Sequence, residues 1–113
     1  MALPFSESYS SNGFIFFSGQ IHLDENGKLL DGSIEDQTHQ VMRNIQKVLD
    51  TNGITFSNVV KATIYIIDMS LYQQVNDVYV QYFSGKLPAR EMIGVKELPL
   101  GARLEISVIA AKN

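Results

Sequence analysis

Two short stretches of the sequence, residues 14–18 and 59–67, are apolar at almost every position. Their aromatic and β-branched residues predict two β-strands. Since successive side chains of a strand point to opposite faces, both faces of these strands are expected to be apolar. Any sheet that contains them therefore needs cover on two sides.

The rest of the chain offers two helices as cover. After Ser33, and before Gly53, apolar or small residues recur at steps of three and four: Thr38, Val41, Met42, Ile45, Val48 and Leu49. This spacing predicts an amphipathic helix. Ser70 is the predicted cap of a second helix that Gly85 and Pro88 end. Its apolar face comprises Leu71, Val75, Val78, Tyr79 and Tyr82.

With 113 residues, the chain is interpreted as a single domain, residues 1–113, of the α+β class. Two helices can cover only one face of its sheet. The other face must then find a partner, so we expect an oligomer.

Two further strand pairings are predicted. Residues 21–23 are expected to form a hairpin with 14–18, and the last two strands are expected to pair across a turn at 98–101. That second hairpin sets Val95 opposite Leu104 and Ile93 opposite Ile106. It also places Arg90 and Glu105 on one polar face, roughly 13 Å apart along the strands. Because one small ligand can hardly touch both, we expect Arg90 of one subunit to meet Glu105 of a neighbour.

The composition of the chain excludes or disfavours several classes of function. The chain has no cysteine, a net charge of -3 and a pI of about 5.2. Disulfides and thiolate chemistry are excluded, and a cytosolic protein is favoured. Nucleic acid is a disfavoured partner because its binding needs a basic surface. We expect no membrane span, no metal site at His22 or His39, which lack companions at ligand spacing, and no other cofactor.

Arg90 and Glu105 are the candidate catalytic residues. Arginine can bind a carboxylate with two parallel hydrogen bonds, and glutamate can orient or deprotonate water. The pair suggests water attacking a small carboxylate-bearing molecule. Two plainer interpretations stay open: Arg90 can pair with Glu91 or Glu97, and Glu105 can form a structural salt bridge to Arg103 or to a subunit neighbour.

Several short motifs, in this order, resemble the Rid family of reactive intermediate deaminases, also called the YjgF family. They are residues 18–21 (Ser-Gly-Gln-Ile), Asn44 in the first helix, Gly53 at its end, 75–79 (Val-Asn-Asp-Val-Tyr), 88–90 (Pro-Ala-Arg), 98–99 (Leu-Pro) and 104–106 (Leu-Glu-Ile). The resemblance covers nearly the whole chain.

The resemblance implies a chorismate-mutase-like fold, a homotrimer with sheets around a central β-barrel, and clefts between subunits. It implies hydrolysis of 2-iminopropanoate and related imines to a 2-oxo acid and ammonia, without a cofactor. Arg90 would bind the substrate carboxylate and Glu105 would activate water. Ser18 and Gly19 resemble the family's backbone contacts with the ligand, and Asn76 resembles an asparagine near the cleft.

Two positions depart from the family pattern. Met92 stands where cysteine is frequent, and Phe5 stands where many of these deaminases carry tyrosine, so both are candidate substrate-binding residues with altered chemistry. Plainer roles remain open here also. Ser18 and Gly19 can be a strand end and a bulge, Asn76 can face solvent, and Met92, Phe5 and the tyrosines can be packing residues.

Two alternatives to an imine deaminase follow. The first is a non-catalytic module that binds 2-oxo acids or other small carboxylates in the same clefts. It would keep Arg90 but tolerate Glu105→Gln. The second is an RNA-directed role, since some relatives carry such labels. The acidic pI and the lack of a basic and aromatic surface speak against it.

Overall fold

A computed structural model describes residues 3–112 of the chain as one mixed sheet with two helices packed on one of its faces. The elements are β1 (Ser8–Ser11), β2 (Phe14–Phe17), β3 (Gln20–Ile21), α1 (Ile34–Thr51), β4 (Val59–Ile66), α2 (Tyr72–Tyr79), β5 (Ala89–Gly94) and β6 (Leu104–Ala111). The predicted α+β class, with two helices on one face of a mixed sheet, is confirmed.

The sheet order is β1-β2-β6-β4-β5, and β3 also pairs with β6. β5 runs parallel to β4, whereas the other strand pairings described between residues 3 and 112 are antiparallel. The last strand of the chain, β6, therefore lies in the middle of the sheet. The face that it shares with the helices carries a hydrophobic core in which Ile64, Leu104 and Ile106 are completely buried.

The first helix forms as predicted. The Ser33 side chain accepts a hydrogen bond from the Asp36 N–H at 3.0 Å, which satisfies one of the free donors of the first turn. At the other end, Gly53 has a φ of 70°, which glycine adopts without strain. Every residue of the predicted apolar stripe is buried: Thr38, Val41, Met42, Ile45, Val48 and Leu49.

The second helix is present, but the prediction that Ser70 caps it is wrong. A single helical turn, Met69–Leu71, precedes α2, and its cap is Asp68. The Asp68 carboxylate accepts hydrogen bonds from the Ser70 N–H at 3.0 Å and from the Ser70 hydroxyl at 2.7 Å. The charged carboxylate is the stronger acceptor, so it takes the capping role and Ser70 becomes its donor.

The predicted hairpin between 14–18 and 21–23 is also wrong. β2 instead pairs with β1, through a turn in which Asn12 and Gly13 have φ values of 52° and 82°. An Asn-Gly pair with both φ values positive is the preferred turn of a two-residue hairpin. β3 is only two residues long and pairs with β6.

The last two strands are present, but they do not pair with each other. β4 lies between them, so the predicted contacts of Val95 with Leu104 and of Ile93 with Ile106 are wrong. The connection crosses the end of β4, where the Val95 N–H donates to the Ile66 carbonyl at 2.9 Å. Apolar β4 is better buried between two neighbours than at the sheet edge.

This topology also overturns the predicted shared face. Arg90 pairs with Ala62, which pairs with Val108, and both of these partners are buried on the helix side. Glu105 pairs with Tyr65 on the opposite, open side of the sheet. Two strand spacings and three residues along the strands separate Arg90 from Glu105, which amounts to roughly 14 Å.

The open face of the sheet carries large apolar side chains without a helix above them. Tyr9 is 68% exposed, Phe14 and Phe16 are each 45% exposed, and Ile93 is 39% exposed. The apolar character expected on both sides of β4 holds for its helix side only, since half-buried polar side chains such as Lys61 and Thr63 line its open side. Within residues 3–112, no helix is long and apolar enough to span a membrane.

Candidate functional site

The Arg90 side chain is held on the helix side of the sheet by α2. Its guanidinium donates from Nη1 to the Asn76 side-chain oxygen at 2.6 Å and from Nη2 to the Tyr72 hydroxyl at 3.0 Å. The guanidinium carbon also lies 5.6 Å from the centre of the Tyr72 ring and 5.1 Å from that of Tyr79. These contacts fix the orientation of a cation, as aromatic and hydrogen-bond partners of arginine do.

Arg90 opens into a recess of about 340 Å³ that Leu87, Pro88 and Val80 complete. No carboxylate in the part of the chain that the structure describes forms a salt bridge with it. Glu91 pairs instead with Lys61 at 2.8 Å. The proposed surface pairing of Arg90 with Glu91 or Glu97 is therefore not formed, and the guanidinium keeps N–H groups for a ligand.

Tyr79 forms the floor beneath the guanidinium. It is 4% exposed, and its hydroxyl has no hydrogen-bond partner among residues 3–112. Burial raises the pKa of Tyr79 to about 12, although the charge of Arg90 acts in the opposite direction. The phenol is therefore neutral at physiological pH, and its ring serves as an apolar platform for the cation.

Glu105 lies in a second recess, of about 300 Å³, on the open side of the sheet. Its side chain covers Gly19 so closely that a methyl group at position 19 would lie 2.7 Å from the Glu105 carboxyl carbon. Any side chain at position 19 would therefore displace the Glu105 carboxylate. The other lining residues are mostly apolar: Leu3, Phe5, Ile21, Leu23 and Pro99.

The apolar surroundings change the acidity of Glu105. Partial burial raises the pKa of the Glu105 carboxyl above its usual value, because it disfavours the charged form. Arg103 does not compensate this charge, since its guanidinium donates to the Gln37 side chain at 3.0 Å. The salt bridge considered between Glu105 and Arg103 is thus absent, and a carboxylate of raised basicity faces the recess.

Ser18 ties the N-terminal segment to this recess. Its hydroxyl donates to the Ser6 carbonyl at 2.6 Å, and its N–H donates to the Glu7 carbonyl at 2.9 Å. Both donors are therefore engaged within the chain, and Ser18 fixes the segment that carries Phe5. Phe5 is 55% exposed at the edge of the recess.

Asn44 of α1 fixes the opposite wall of the Glu105 recess. Its amide donates to the carbonyls of Ile21 and Leu23, at 3.0 Å and 2.8 Å. Both of these residues line the recess. Asn44 therefore positions the wall, a role that its place on a helix does not reveal from sequence.

Met92 shares the helix side of β5 with Arg90, but it does not line the Arg90 recess. It pairs with Ile64 and packs against the hydrophobic core. The structure thus places Met92 with the packing residues, which is the plainer of its two interpretations.

The structure therefore groups the candidate residues into two half-sites. Arg90 and Asn76 form one, and Glu105, Gly19 and Phe5 form the other. The sequence favours packing roles for Tyr72 and Tyr79, yet both contact the Arg90 guanidinium. A signal for them exists in the sequence, because positions 72, 76 and 79 fall on one face of a helix.

His22 illustrates a buried residue with a structural role. Its Nδ1 hydrogen-bonds the Leu30 carbonyl at 3.1 Å, and its Nε2 accepts from the Arg103 N–H at 3.0 Å. Both nitrogens are thus used by the neutral ring, and burial lowers the pKa of His22. Over the described range 3–112, no three His, Cys, Asp or Glu side chains cluster in a way that could hold a metal.

Comparisons with known proteins agree with the fold. A family model described as Endoribonuclease L-PSP matches residues 1–112. The mouse protein named 2-iminobutanoate/2-iminopropanoate deaminase is 38% identical over 97% of this chain and 82% of its own length. The conserved Rid protein YyfA from Yersinia pestis has 42% identity and a TM-score of 0.94, covering 98% of this chain and 90% of its own.

A more distant solved structure is Escherichia coli TdcF with bound serine. It has 26% identity and a TM-score of 0.93, and it covers all of this chain and 91% of its own. Relatives of this kind extend over the whole chain and share its fold. The chain therefore belongs to the Rid family, also called the YjgF family.

Proposed function

We propose that this chain hydrolyses small 2-imino acids, such as 2-iminopropanoate, to 2-oxo acids and ammonia. The observation that carries the proposal is the pair of half-sites: an arginine held open for a carboxylate, and a carboxylate of raised basicity that forms no salt bridge within residues 3–112. The name of the mouse relative and the serine bound by TdcF support a substrate that resembles an amino acid.

The two half-sites belong, in this proposal, to neighbouring subunits. Within one chain Arg90 and Glu105 point to opposite sides of the sheet, so no small substrate can contact both. A homotrimer would bury the exposed apolar side chains of the open face around a central β-barrel. Each cleft would then combine Arg90 and Asn76 of one subunit with Glu105, Gly19 and Phe5 of the next.

The reaction needs only groups that the chain supplies. Arg90 binds the carboxylate of the imino acid and so fixes the C=N carbon. Glu105 accepts a proton from water as the oxygen attacks that carbon and returns it to the imine nitrogen, which gives a neutral carbinolamine. Glu105 then accepts the carbinolamine hydroxyl proton and passes it to the nitrogen as the C–N bond breaks, so that ammonia departs and the 2-oxo acid forms. Positioning and general-base assistance provide the acceleration, and the expectation that no cofactor takes part stays a prediction.

The raised pKa of Glu105 suits this role. A carboxylate of ordinary acidity is a weak base toward water, whereas the apolar recess strengthens its basicity. Phe5 and Leu23 contribute to that environment by excluding bulk water. The same apolar lining favours substrates with hydrocarbon side chains over polar ones.

The decisive experiment generates 2-iminopropanoate in situ and follows ammonia release above the spontaneous rate. We expect acceleration by the wild-type protein and a loss of about a hundredfold or more in kcat/KM on Arg90→Ala. Arg43→Ala, which removes an exposed arginine of α1, is the matched control. An unchanged rate in Arg90→Ala rejects the assignment.

Glu105→Gln separates the deaminase from a module that only binds carboxylates. A deaminase loses turnover in this variant and retains 2-oxo acid binding. A wild-type protein that binds a 2-oxo acid without accelerating imine hydrolysis identifies the binding module. Glu97→Gln, at an exposed position, controls for the loss of one negative charge.

RNA cleavage, which the description of the family model names, is disfavoured by the net charge of -3. A filter-binding titration at low salt tests it, and we expect no retention of RNA by the protein. The cytosolic location expected from the lack of cysteine stays a prediction.

A further inference from the structure

Tyr72 lies at the rim of the Arg90 recess, where its hydroxyl group is reached by the guanidinium. It is 40% exposed, in contrast with Tyr79, which is 4% exposed beneath the same cation. The Asn76 side-chain oxygen accepts a hydrogen bond from one N–H of Arg90 Nη1, and the Tyr72 hydroxyl oxygen accepts one from an N–H of Nη2. Arg90 therefore retains three of its five N–H groups for a ligand.

The hydrogen bond to Arg90 determines what the Tyr72 hydroxyl can do. A guanidinium has only donors, so the phenol oxygen must be the acceptor. The phenol's own proton then points away from Arg90. Among residues 3–112, no acceptor receives it. The hydroxyl is thus oriented as a donor at the mouth of the recess.

We propose that the Tyr72 hydroxyl donates a hydrogen bond to the carboxylate that Arg90 binds. The Arg90 Nη2 and the Tyr72 oxygen are 3.0 Å apart, so one carboxylate can accept from both. The polarising contact with the cation makes the phenol a stronger donor. Tyr72 is thereby a substrate-contacting residue that selects 2-imino and 2-oxo acids over neutral analogues.

This inference rests on the proposed function, because it assigns the carboxylate of the same substrate. The inference differs from a purely structural role, in which Tyr72 only holds Arg90 in place. In that alternative the acceptor oxygen of Tyr72 matters and its proton does not. The two roles can be separated by changing the donor and the acceptor independently.

Tyr72→Phe is the first test, since the phenyl ring keeps the contact with the guanidinium. We expect KM for the imino acid and Kd for pyruvate, the latter measured by calorimetry, to rise about tenfold or more with little change in kcat. Tyr82→Phe is the matched control, because that hydroxyl hydrogen-bonds His39 at 2.6 Å and lies outside the recess. Thermal melts check that both variants fold.

Replacement of Tyr72 by 4-aminophenylalanine is the second test. Its amino group donates well and accepts poorly. If the donated hydrogen bond matters, this residue restores the pyruvate affinity that Tyr72→Phe loses. A loss that 4-aminophenylalanine does not restore overturns the inference and leaves Tyr72 as a residue that only positions Arg90. Unchanged constants in Tyr72→Phe overturn it as well.

The outcomes also distinguish this inference from the proposed function. Wild-type deaminase activity that is lost in Arg90→Ala but kept, with unchanged KM, in Tyr72→Phe refutes the role of Tyr72 alone. A wild-type protein without deaminase activity refutes the proposed function, while the pyruvate titrations still report on Tyr72. A wild-type protein that neither binds pyruvate nor turns over the imine refutes both.

Discussion

Subunit mixing gives the sharpest test of a site shared between chains. In the proposed site, Arg90→Ala removes the carboxylate contact and leaves Glu105 intact, whereas Glu105→Gln removes the base and leaves Arg90 intact. Each homotrimer should be inactive. In a mixed trimer, however, one cleft joins the intact Arg90 of one variant to the intact Glu105 of the other.

The expected magnitude follows from the cyclic arrangement of the proposed trimer. Each mixed trimer has two chains of one variant and one of the other. Whichever variant is in excess, a single cleft receives both intact residues, so about one third of the wild-type activity per trimer should return. A site inside one chain predicts no recovery, and the separation of the two residues across the sheet is the structural reason to expect recovery.

The assay co-expresses the two variants with different affinity tags and purifies trimers that carry both. Ammonia release from 2-iminopropanoate is then compared with wild type and with a mixture of the separately purified variants. Light scattering tests whether each preparation is the proposed trimer. Mixed trimers that are as inactive as the separate variants would refute the shared cleft.

Three further predictions concern stability and the Glu105 recess. Gly19→Ala should lower kcat about a hundredfold in the same ammonia assay, because the added methyl group displaces the Glu105 carboxylate; wild-type kcat would contradict this. Glu105→Gln should raise Tm at pH 7, measured by thermal melts. Since the pKa of Glu105 is raised in the folded state, ionisation of this carboxyl destabilises the fold as the pH rises through the folded-state pKa. The increase in Tm on Glu105→Gln should therefore shrink toward acid pH. Burial lowers the pKa of His22 in the folded protein, so its neutral ring stabilises the fold above the usual pKa of 6.5, and this contribution is lost as the pH falls below it. The Tm of His22→Asn should therefore fall less steeply than that of the wild type between about pH 7.5 and 5.5.

The helices and most strands were accessible from sequence because their signals are local. Ser33, the apolar spacing that follows it and Gly53 define α1 without reference to the rest of the chain. The β-branched run at β4 is equally local. Membership of the Rid family was also accessible, because short motifs in a fixed order extend over the whole chain, and the comparisons confirm it.

The strand pairing was not accessible, since it depends on competition between distant segments. Two strands joined by a short turn suggest a hairpin. In the structure, however, β4 lies between β5 and β6, where its apolar side chains are buried. The predicted hairpin of the last two strands places Arg90 and Glu105 on one face of the sheet, whereas the structure places them on opposite faces. The conclusion that they cannot share a ligand within one chain nevertheless holds, now for a stronger geometric reason.

The half-site around Arg90 was predicted only in part. The family resemblance suggests that Asn76 lies near the cleft, and Asn76 does hydrogen-bond Arg90. The sequence favours packing for Tyr72 and Tyr79, because tyrosine on a helix usually packs. Their helical spacing from Asn76 is visible in the sequence, yet their contact with Arg90 requires β5 to lie against α2. Ser18 is the opposite case: it is a candidate ligand-binding residue whose hydroxyl and N–H donate to the N-terminal segment and do not reach into the recess.

The central position of β6 has a consequence for how the chain is made. β1 and β2 can pair with each other, and β4 can pair with β5, before β6 is synthesised. Neither pair is hydrogen-bonded to the other except through β6, which lies between them. While β6 is still in the exit tunnel, a ribosome-bound chain therefore holds two β-units that no ladder of hydrogen bonds joins. The sheet closes, and the candidate base Glu105 reaches its recess, in the single step in which β6 inserts.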